Sequence, residues 1–185
     1  MTRRDVRTDM IRGAVDLLAA HGVQGTSFAL VLEATDAPRG SIYHHFPGGK
    51  AELVEAAVRS VGDSITALLD AVDVDSPAAV VEVFVEGWRA LLVGGTYERG
   101  CAVAAASLGA GDDDSLRQAS NTAFESWRAA LARAFARSGV DDHEAVDLAA
   151  LCIAAVEGAL VLGRASRSDA IFDVLRRQLT RLVDA

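Results

Sequence analysis

The segment RGSIYHHFPGGK, residues 39–50, concentrates side chains that donate hydrogen bonds or carry positive charge. Serine and tyrosine hydroxyls, an imidazole and an amine can each bind a phosphate oxygen or the edge of a base. A threonine and a serine shortly before this segment precede a short apolar run, where they could cap a helix whose free N–H groups also attract phosphate. The candidate residues for nucleic-acid contact are Thr26, Ser27, Arg39, Gly40, Ser41, Tyr43, His44 and Lys50.

The same segment also admits interpretations that need no nucleic acid. Tyr43 and Phe46 could be aromatic residues of a core. His44 and His45 could be metal ligands, but neighbouring residues of a helix point about 100° apart, so two adjacent histidines do not easily share one ion. We therefore expect no metal site, one outward histidine, and an inward His45 that makes a structural hydrogen bond.

Three predicted helices position these residues. Apolar side chains recur at helical spacing over about residues 4–20, and Gly22 ends that pattern. A second helix is predicted over 28–35 and a very short third helix over 41–46, which Pro47, Gly48 and Gly49 end. Three helices in the first fifty residues, the last two joined by a tight turn, form a helix-turn-helix layout.

The third helix has an inner and an outer side. Ile42 and Phe46 are four residues apart, so they share one face and would pack against Leu18 and Leu30. Tyr43 and the polar residues would then face outward.

The rest of the chain predicts six more helices and no strand. They span about residues 50–72, 77–93, 100–111, 115–137, 141–164 and 169–183, the third of them short or irregular. The fold class is therefore all-α, with about nine helices. We expect a helix-turn-helix domain over residues 1–49 and a helical ligand-binding and dimerisation domain over residues 50–185.

The second predicted domain contains both tryptophans of a chain with few aromatic residues, beside a run of small side chains. Such a set suits a cavity for a small hydrophobic or planar ligand. The candidate ligand-binding residues are Phe84, Trp88, Cys101, Val103, Leu108, Phe124 and Trp127. Taken singly, each of them is better explained as a core residue.

Residues 148–163 are apolar almost all round and hold a single acid, Glu157. A run of this length with a central acid falls short of a membrane span, so we expect a helix covered on two sides. Glu157 either pairs with an arginine across an interface or faces a cavity, and we favour the pairing.

Composition and charge limit the function classes. The net charge of −8 argues against nucleic-acid binding, but residues 1–50 carry six Lys and Arg against five Asp and Glu, so the acidity lies in the remainder. Two distant cysteines and a charged start predict a reduced, cytoplasmic protein without a signal peptide. Motifs for a Ser/His/Asp triad, a Glu-x-x-His metal pair, a GxGxxG turn or a P-loop are missing from the sequence.

The residues from Gly40 to Phe46, followed by Lys50, resemble the signature of the tetracycline-repressor-like (TetR) family of bacterial transcriptional regulators. There the recognition helix reads roughly G-[ST]-[LI]-Y-x-H-F. The FPGGK form and the later Gly-Cys segment resemble the LmrA/YxaF-like branch. Asp36 and Pro38 depart from the family pattern, which has a turn glycine and a capping serine at these places.

The resemblance implies a DNA-binding regulator, by family default a repressor, that a small hydrophobic or planar effector releases from a palindromic double-stranded operator. It also implies a homodimer through the last two helices, with Ala150, Ala154, Gly158, Leu175 and Leu179 as contact residues. Arg3, Arg4 and Arg7 could reach the DNA backbone or the minor groove. No cofactor, catalytic residue or membrane contact is expected. The alternative is an all-helical enzyme or carrier that uses the second domain's pocket.

Overall fold

The computed structural model describes residues 5–184, the Arg39 side chain excepted, and this part of the chain contains α-helices and no strand. The predicted all-α class is confirmed. The helices are α1 Val6–Gly25, α2 Phe28–Thr35, α3 Ile42–His45, α4 Gly49–Asp70, α5 Pro77–Gly94, α6 Ala102–Gly109, α7 Asp114–Arg137, α8 Asp142–Ser166 and α9 Ala170–Val183. A 3-10 turn, Arg39–Ser41, leads into α3.

Local sequence explains where the first helices begin and end. The Asp5 side chain accepts a hydrogen bond from the Thr8 backbone N–H at the start of α1, and Gly22, with φ of 68°, interrupts that helix near its end. The Ser27 hydroxyl oxygen caps α2 by accepting from the Leu30 N–H at 3.3 Å. Asp36 follows α2 in the left-handed conformation, with φ of 51°, which Asp tolerates better than most residues.

The helices form two compact units, residues 5–63 with 102–123 and residues 64–101 with 124–184. Besides the three N-terminal helices, the first unit therefore holds most of α4, all of α6 and the start of α7. Close approaches explain this grouping: a Cβ on Gly109 would lie 2.7 Å from a Val23 methyl group, and one on Gly62 would lie 3.0 Å from the Ala123 Cβ. The division of the chain into a DNA-binding domain up to residue 49 and a ligand-binding and dimerisation domain from residue 50 stays a prediction.

The core of the first unit lies under α3. Met10, Leu18, Val31, Ile42 and Phe46 are buried. The predicted partner Leu30 is wrong, because its side chain is 41% exposed; Val31, one residue later, supplies the inward side chain of α2.

The core of the second unit is aromatic and is built around α5, α7, α8 and α9. The rings of Trp88 and Trp127 lie 5.7 Å apart, and Phe135 and Phe172 are fully buried. The Arg89 guanidinium joins α5 to α9 by ion pairs with Asp169 at 2.9 Å and Asp173 at 2.8 Å.

Candidate nucleic-acid interface

The short helix α3 presents two opposite faces. Ile42 and Phe46 are buried, whereas the Tyr43 side chain is 69% exposed and His44 is also exposed. Burial of the apolar pair fixes the rotation of α3, because residues four apart share a face and the residues between them point elsewhere. The structure therefore directs the polar side chains of α3 toward solvent.

Tyr43 does not stand alone on that surface. Its ring packs edge-on against Phe28, with 5.6 Å between the ring centroids and 81° between the planes. Both residues line a surface groove between α2 and α3, which also includes Leu32 and Glu33. Phe28 was not predicted to lie beside Tyr43, since an aromatic side chain in the first turn of an apolar helix resembles a core residue.

The two hydroxyl residues before α2 have different environments. Ser27 is half-buried and caps the helix, whose first N–H groups have no partner within the helix. Thr26 is only 1% exposed, and its hydroxyl donates to the Gly22 carbonyl at 2.9 Å. The prediction that the Thr26 side chain contacts phosphate is corrected, because its hydroxyl is buried and its proton is already donated to a backbone carbonyl.

Lys50 lies in the first turn of α4 and is half-buried. It is the only lysine in the chain, and it forms no ion pair with any residue that the structure describes. The Glu52 carboxylate instead accepts a hydrogen bond from the Gly48 N–H at 2.7 Å. The ammonium group can therefore donate hydrogen bonds to another molecule.

The remaining predicted residues of this surface surround the turn before α3. Gly40 is exposed. The Ser41 hydroxyl donates its proton to the Pro38 carbonyl at 2.6 Å, which stabilises the turn, so toward DNA this hydroxyl can act only as an acceptor. The side chain of Arg39 lies outside the described residues, as do Arg3 and Arg4. The Arg7 guanidinium carbon lies 5.1 Å from the centre of the Phe46 ring.

The two histidines differ in exposure: His44 is exposed and His45 is half-buried, with their rings 5.3 Å apart. Within residues 5–184, no group of three or more His, Cys, Asp or Glu side chains could hold a metal ion.

The structure brings together five of the seven candidate ligand-binding residues in the second unit. Phe84, Trp88, Phe124 and Trp127 form a chain of ring contacts with centroid distances from 5.3 to 6.3 Å. Cys101 is buried and belongs to the same unit. Val103 and Leu108 belong to the first unit. Leu108 is 89% exposed, so the prediction that it lines a cavity is corrected.

Glu157 lies on α8 with its carboxyl group turned inward. It shares a hydrogen bond with Cys101, and its Oε1 atom is buried without a hydrogen-bond partner within the described chain. Burial raises the pKa of Glu157 above its ordinary value. The expected pairing of Glu157 with an arginine across an interface stays a prediction.

The outer face of α8 carries an apolar stripe in which Ala154, Gly158, Val161 and Leu162 are exposed. A Cβ on Gly158 would meet no atom of another described segment within 4 Å, so the described residues leave that space open. Of the other predicted dimer contacts, Ala150 and Leu175 are half-buried. Leu179 is corrected, because it is buried in the core of its own unit.

By length and composition α8 could also cross a membrane, because it is longer than its apolar run suggested. Its inner face packs against α5 and α9, however, which is the environment of a core helix.

Comparison with known proteins agrees with this geometry. The profile described as Bacterial regulatory proteins, tetR family, matches residues 10–57. The profile described as Transcriptional regulator LmrA/YxaF-like, C-terminal domain, matches residues 77–178, more than half of the chain.

Related sequences and structures extend the match over nearly the whole chain. An HTH-type transcriptional regulator of Mycobacterium tuberculosis is 32% identical, with 96% of this chain and 93% of that one covered. The HTH-type transcriptional regulator LmrA of Bacillus subtilis is 25% identical, with 96% of this chain and 100% of LmrA covered. A regulatory protein TetR from Rhodobacter sphaeroides has the same fold, with a TM-score of 0.84, 23% identity, and coverage of 95% of this chain and 97% of that one. The chain belongs to the TetR family of bacterial transcriptional regulators, in its LmrA/YxaF-like branch.

Proposed function

We propose that the protein is a cytoplasmic, homodimeric repressor that binds a palindromic DNA operator and is released by a small hydrophobic or planar molecule. The DNA surface of each protomer consists of Ser27, Arg39, Gly40, Ser41, Tyr43, His44 and Lys50. The observation that carries the proposal is the rotation of α3, which buries Ile42 and Phe46 and exposes Tyr43 and His44. A helix held in this way can enter the major groove with its polar side forward.

Sequence-specific binding needs two such surfaces. An α3 of four residues reaches too few base pairs to select one site, whereas a twofold pair reads two half-sites. The exposed stripe of α8 supports a dimer, because Ala154 and Gly158 allow a second helix to approach closely and Val161 and Leu162 supply apolar area.

The proposed effector binds in the second unit, among the aromatic side chains from Phe84 to Trp127. Regulation then consists of a lower operator affinity of the effector-bound dimer. A coupling of about 1–3 kcal/mol, or roughly 5- to 150-fold in affinity, is typical of such regulation. The proposal needs no catalysed reaction, so turnover of the effector by the purified protein would favour the enzyme alternative.

Lys50 allows a direct test of the DNA surface. An operator duplex is selected from a random library with the full-length protein, and binding is measured by fluorescence anisotropy at increasing salt concentrations. We expect a steep loss of affinity with salt, because phosphate contacts release counterions. As the only lysine, Lys50 can also be followed by acylation and mass spectrometry, and bound operator should protect it.

A matched pair of variants separates contact from general charge. Lys50→Gln and Arg59→Gln each remove one positive charge from α4, but Arg59 is ion-paired with Glu55. Lys50→Gln should reduce the slope of log affinity against log salt by about 1, and Arg59→Gln should leave it nearly unchanged. Equal slopes for both variants and wild type, with Lys50 acylated equally fast in free and bound protein, would refute the proposed surface.

A further inference from the structure

An apolar groove in the second unit is not explained by DNA binding or by the α8 stripe. The C-terminal part of α4 and the middle of α5 border this α4–α5 groove, whose volume is 260 Å³. Its floor includes Phe84, Gly87 and Trp88, and Leu68 and Val83 stand at its sides.

The floor and the sides of the groove differ in how firmly they are held. Phe84 and Trp88 are buried, and the Trp88 ring packs against Trp127 at 5.7 Å. Leu68 is 66% exposed, and Val83 is exposed as well. A packed aromatic floor between exposed aliphatic side chains is the arrangement in which a bound apolar molecule would bury surface that now contacts water.

Gly87 adds a second observation to the shape of the groove. Glycine within a helix costs roughly 1 kcal/mol relative to alanine. The packing of the chain does not require it, because a Cβ at Gly87 would meet no atom within 4 Å. The missing side chain instead leaves the groove open and its floor flat beside Trp88.

The lining determines which ligand chemistry the groove can accept. Every side chain that lines it is apolar, and the indole N–H of Trp88 is the only polar side-chain group among them. Four of the five charged residues next to the lining in sequence are acids: Asp70, Asp73, Glu82 and Glu86. The fifth, Arg89, is ion-paired with Glu86, Asp169 and Asp173. Such surroundings offer no partner to a ligand's carboxylate and would repel it, whereas an uncharged ring system loses nothing by leaving water.

We propose that the α4–α5 groove binds an uncharged aromatic molecule of about two fused rings, which lies on Trp88 and over Gly87. The volume of 260 Å³ is below the roughly 300–1,000 Å³ typical of drug-sized ligands, which sets this upper limit of size. The inference deepens the proposed function, since it assigns the effector site and the effector's chemical class, but binding itself can be measured without DNA.

Two probes of similar shape test the charge requirement on the full-length protein. Calorimetric titration with 2-naphthol, which is uncharged near neutral pH, should give saturable binding, and 2-naphthoate should bind at least tenfold more weakly. Equal binding of both probes, or binding of neither, would overturn the assignment.

Two glycine variants of α5 test the location. Gly87→Leu should weaken 2-naphthol binding at least tenfold by filling the groove. Gly94→Leu is the control, because Gly94 is also free of neighbours within 4 Å but does not line the groove. Wild-type affinity in Gly87→Leu would refute the site. If Gly87→Leu fails to fold, Leu68→Lys replaces it, because an exposed side chain tolerates the change; unaltered 2-naphthol affinity in that variant would then refute the site.

The operator experiment separates this inference from the proposed function. Release of operator by 2-naphthol in wild type, and its loss in Gly87→Leu, would support both. Release that persists unchanged in Gly87→Leu would overturn the groove as effector site and leave ligand-responsive repression intact. Binding that depends on Gly87 without any release would confirm the groove as a binding site and contradict its role in regulation.

Discussion

The ring contact between Phe28 and Tyr43 predicts that Phe28 contributes to operator affinity through Tyr43. Tyr43 is mostly exposed. Among the residues that the structure describes, Phe28 is the only aromatic side chain that packs against the Tyr43 ring. Replacing Phe28 with alanine would free the Tyr43 ring to adopt other rotamers. Part of the binding energy of the Tyr43 hydroxyl would then be spent on restoring its orientation.

The size of the effect follows from the geometry of the pair. Edge-on aromatic pairs contribute about 0.5–1.5 kcal/mol beyond the area that they bury. This pair lies at the surface, so the lower half of that range applies, about 0.5–1 kcal/mol. Such an energy corresponds to a roughly two- to fivefold loss of operator affinity.

The assay is a double-mutant cycle measured by anisotropy on one operator duplex at constant salt. Phe28→Ala should weaken binding two- to fivefold in the wild-type background. It should have little effect in the Tyr43→Ala background, because the side chain that Phe28 orients is then absent. Leu30→Ala is the control, because Leu30 is an exposed apolar residue of the same helix. Equal losses from Phe28→Ala in both backgrounds would show that Phe28 acts independently, which would refute the positioning role.

Three further predictions concern stability and reactivity. Asp36→Ala should lower the free energy of unfolding by about 1 kcal/mol and Asp36→Gly should not, since alanine tolerates the left-handed conformation poorly; equal urea midpoints would contradict this. Glu157→Gln should raise Tm more at neutral pH than at pH 4.5. Burial raises the pKa of Glu157, so the folded state binds the extra proton and wild type loses stability as pH rises above the ordinary value of 4.5; a gain independent of pH would refute the assignment. Burial raises the pKa of the Cys152 thiol to about 12, so iodoacetamide should label Cys152 only after unfolding, and rapid labelling of native protein would contradict its burial.

Short-range patterns account for the parts of the site that were predictable. The spacing of Ile42 and Phe46 indicated which face of α3 is buried, because side-chain direction in a helix depends only on the number of residues between two positions. Gly22 interrupts α1 because glycine readily adopts a positive φ. Pro77 begins α5 because the fixed φ of proline suits the first turn of a helix.

The errors concern side chains whose exposure depends on how the helices pack. Thr26 has the composition of a phosphate contact, yet it is buried and donates to the backbone. Leu108 looked like a lining residue of a cavity, but its neighbour Gly109 is the residue that packs against Val23 of α1, and Leu108 is left in solvent. No local pattern reveals which side of α6 faces α1, because all but one of its residues, Ser107, are apolar or glycine.

The sequence alone predicted the all-α class, a helix-turn-helix domain and the resemblance to the TetR family, because these depend on patterns within a few residues. Only the folded chain decided that α6 joins the first unit, that Phe28 supports Tyr43, and that α4 and α5 leave a groove at Gly87. These outcomes depend on distances between segments that are far apart in sequence. Side-chain volume and close packing determine those distances, and helical periodicity does not encode them.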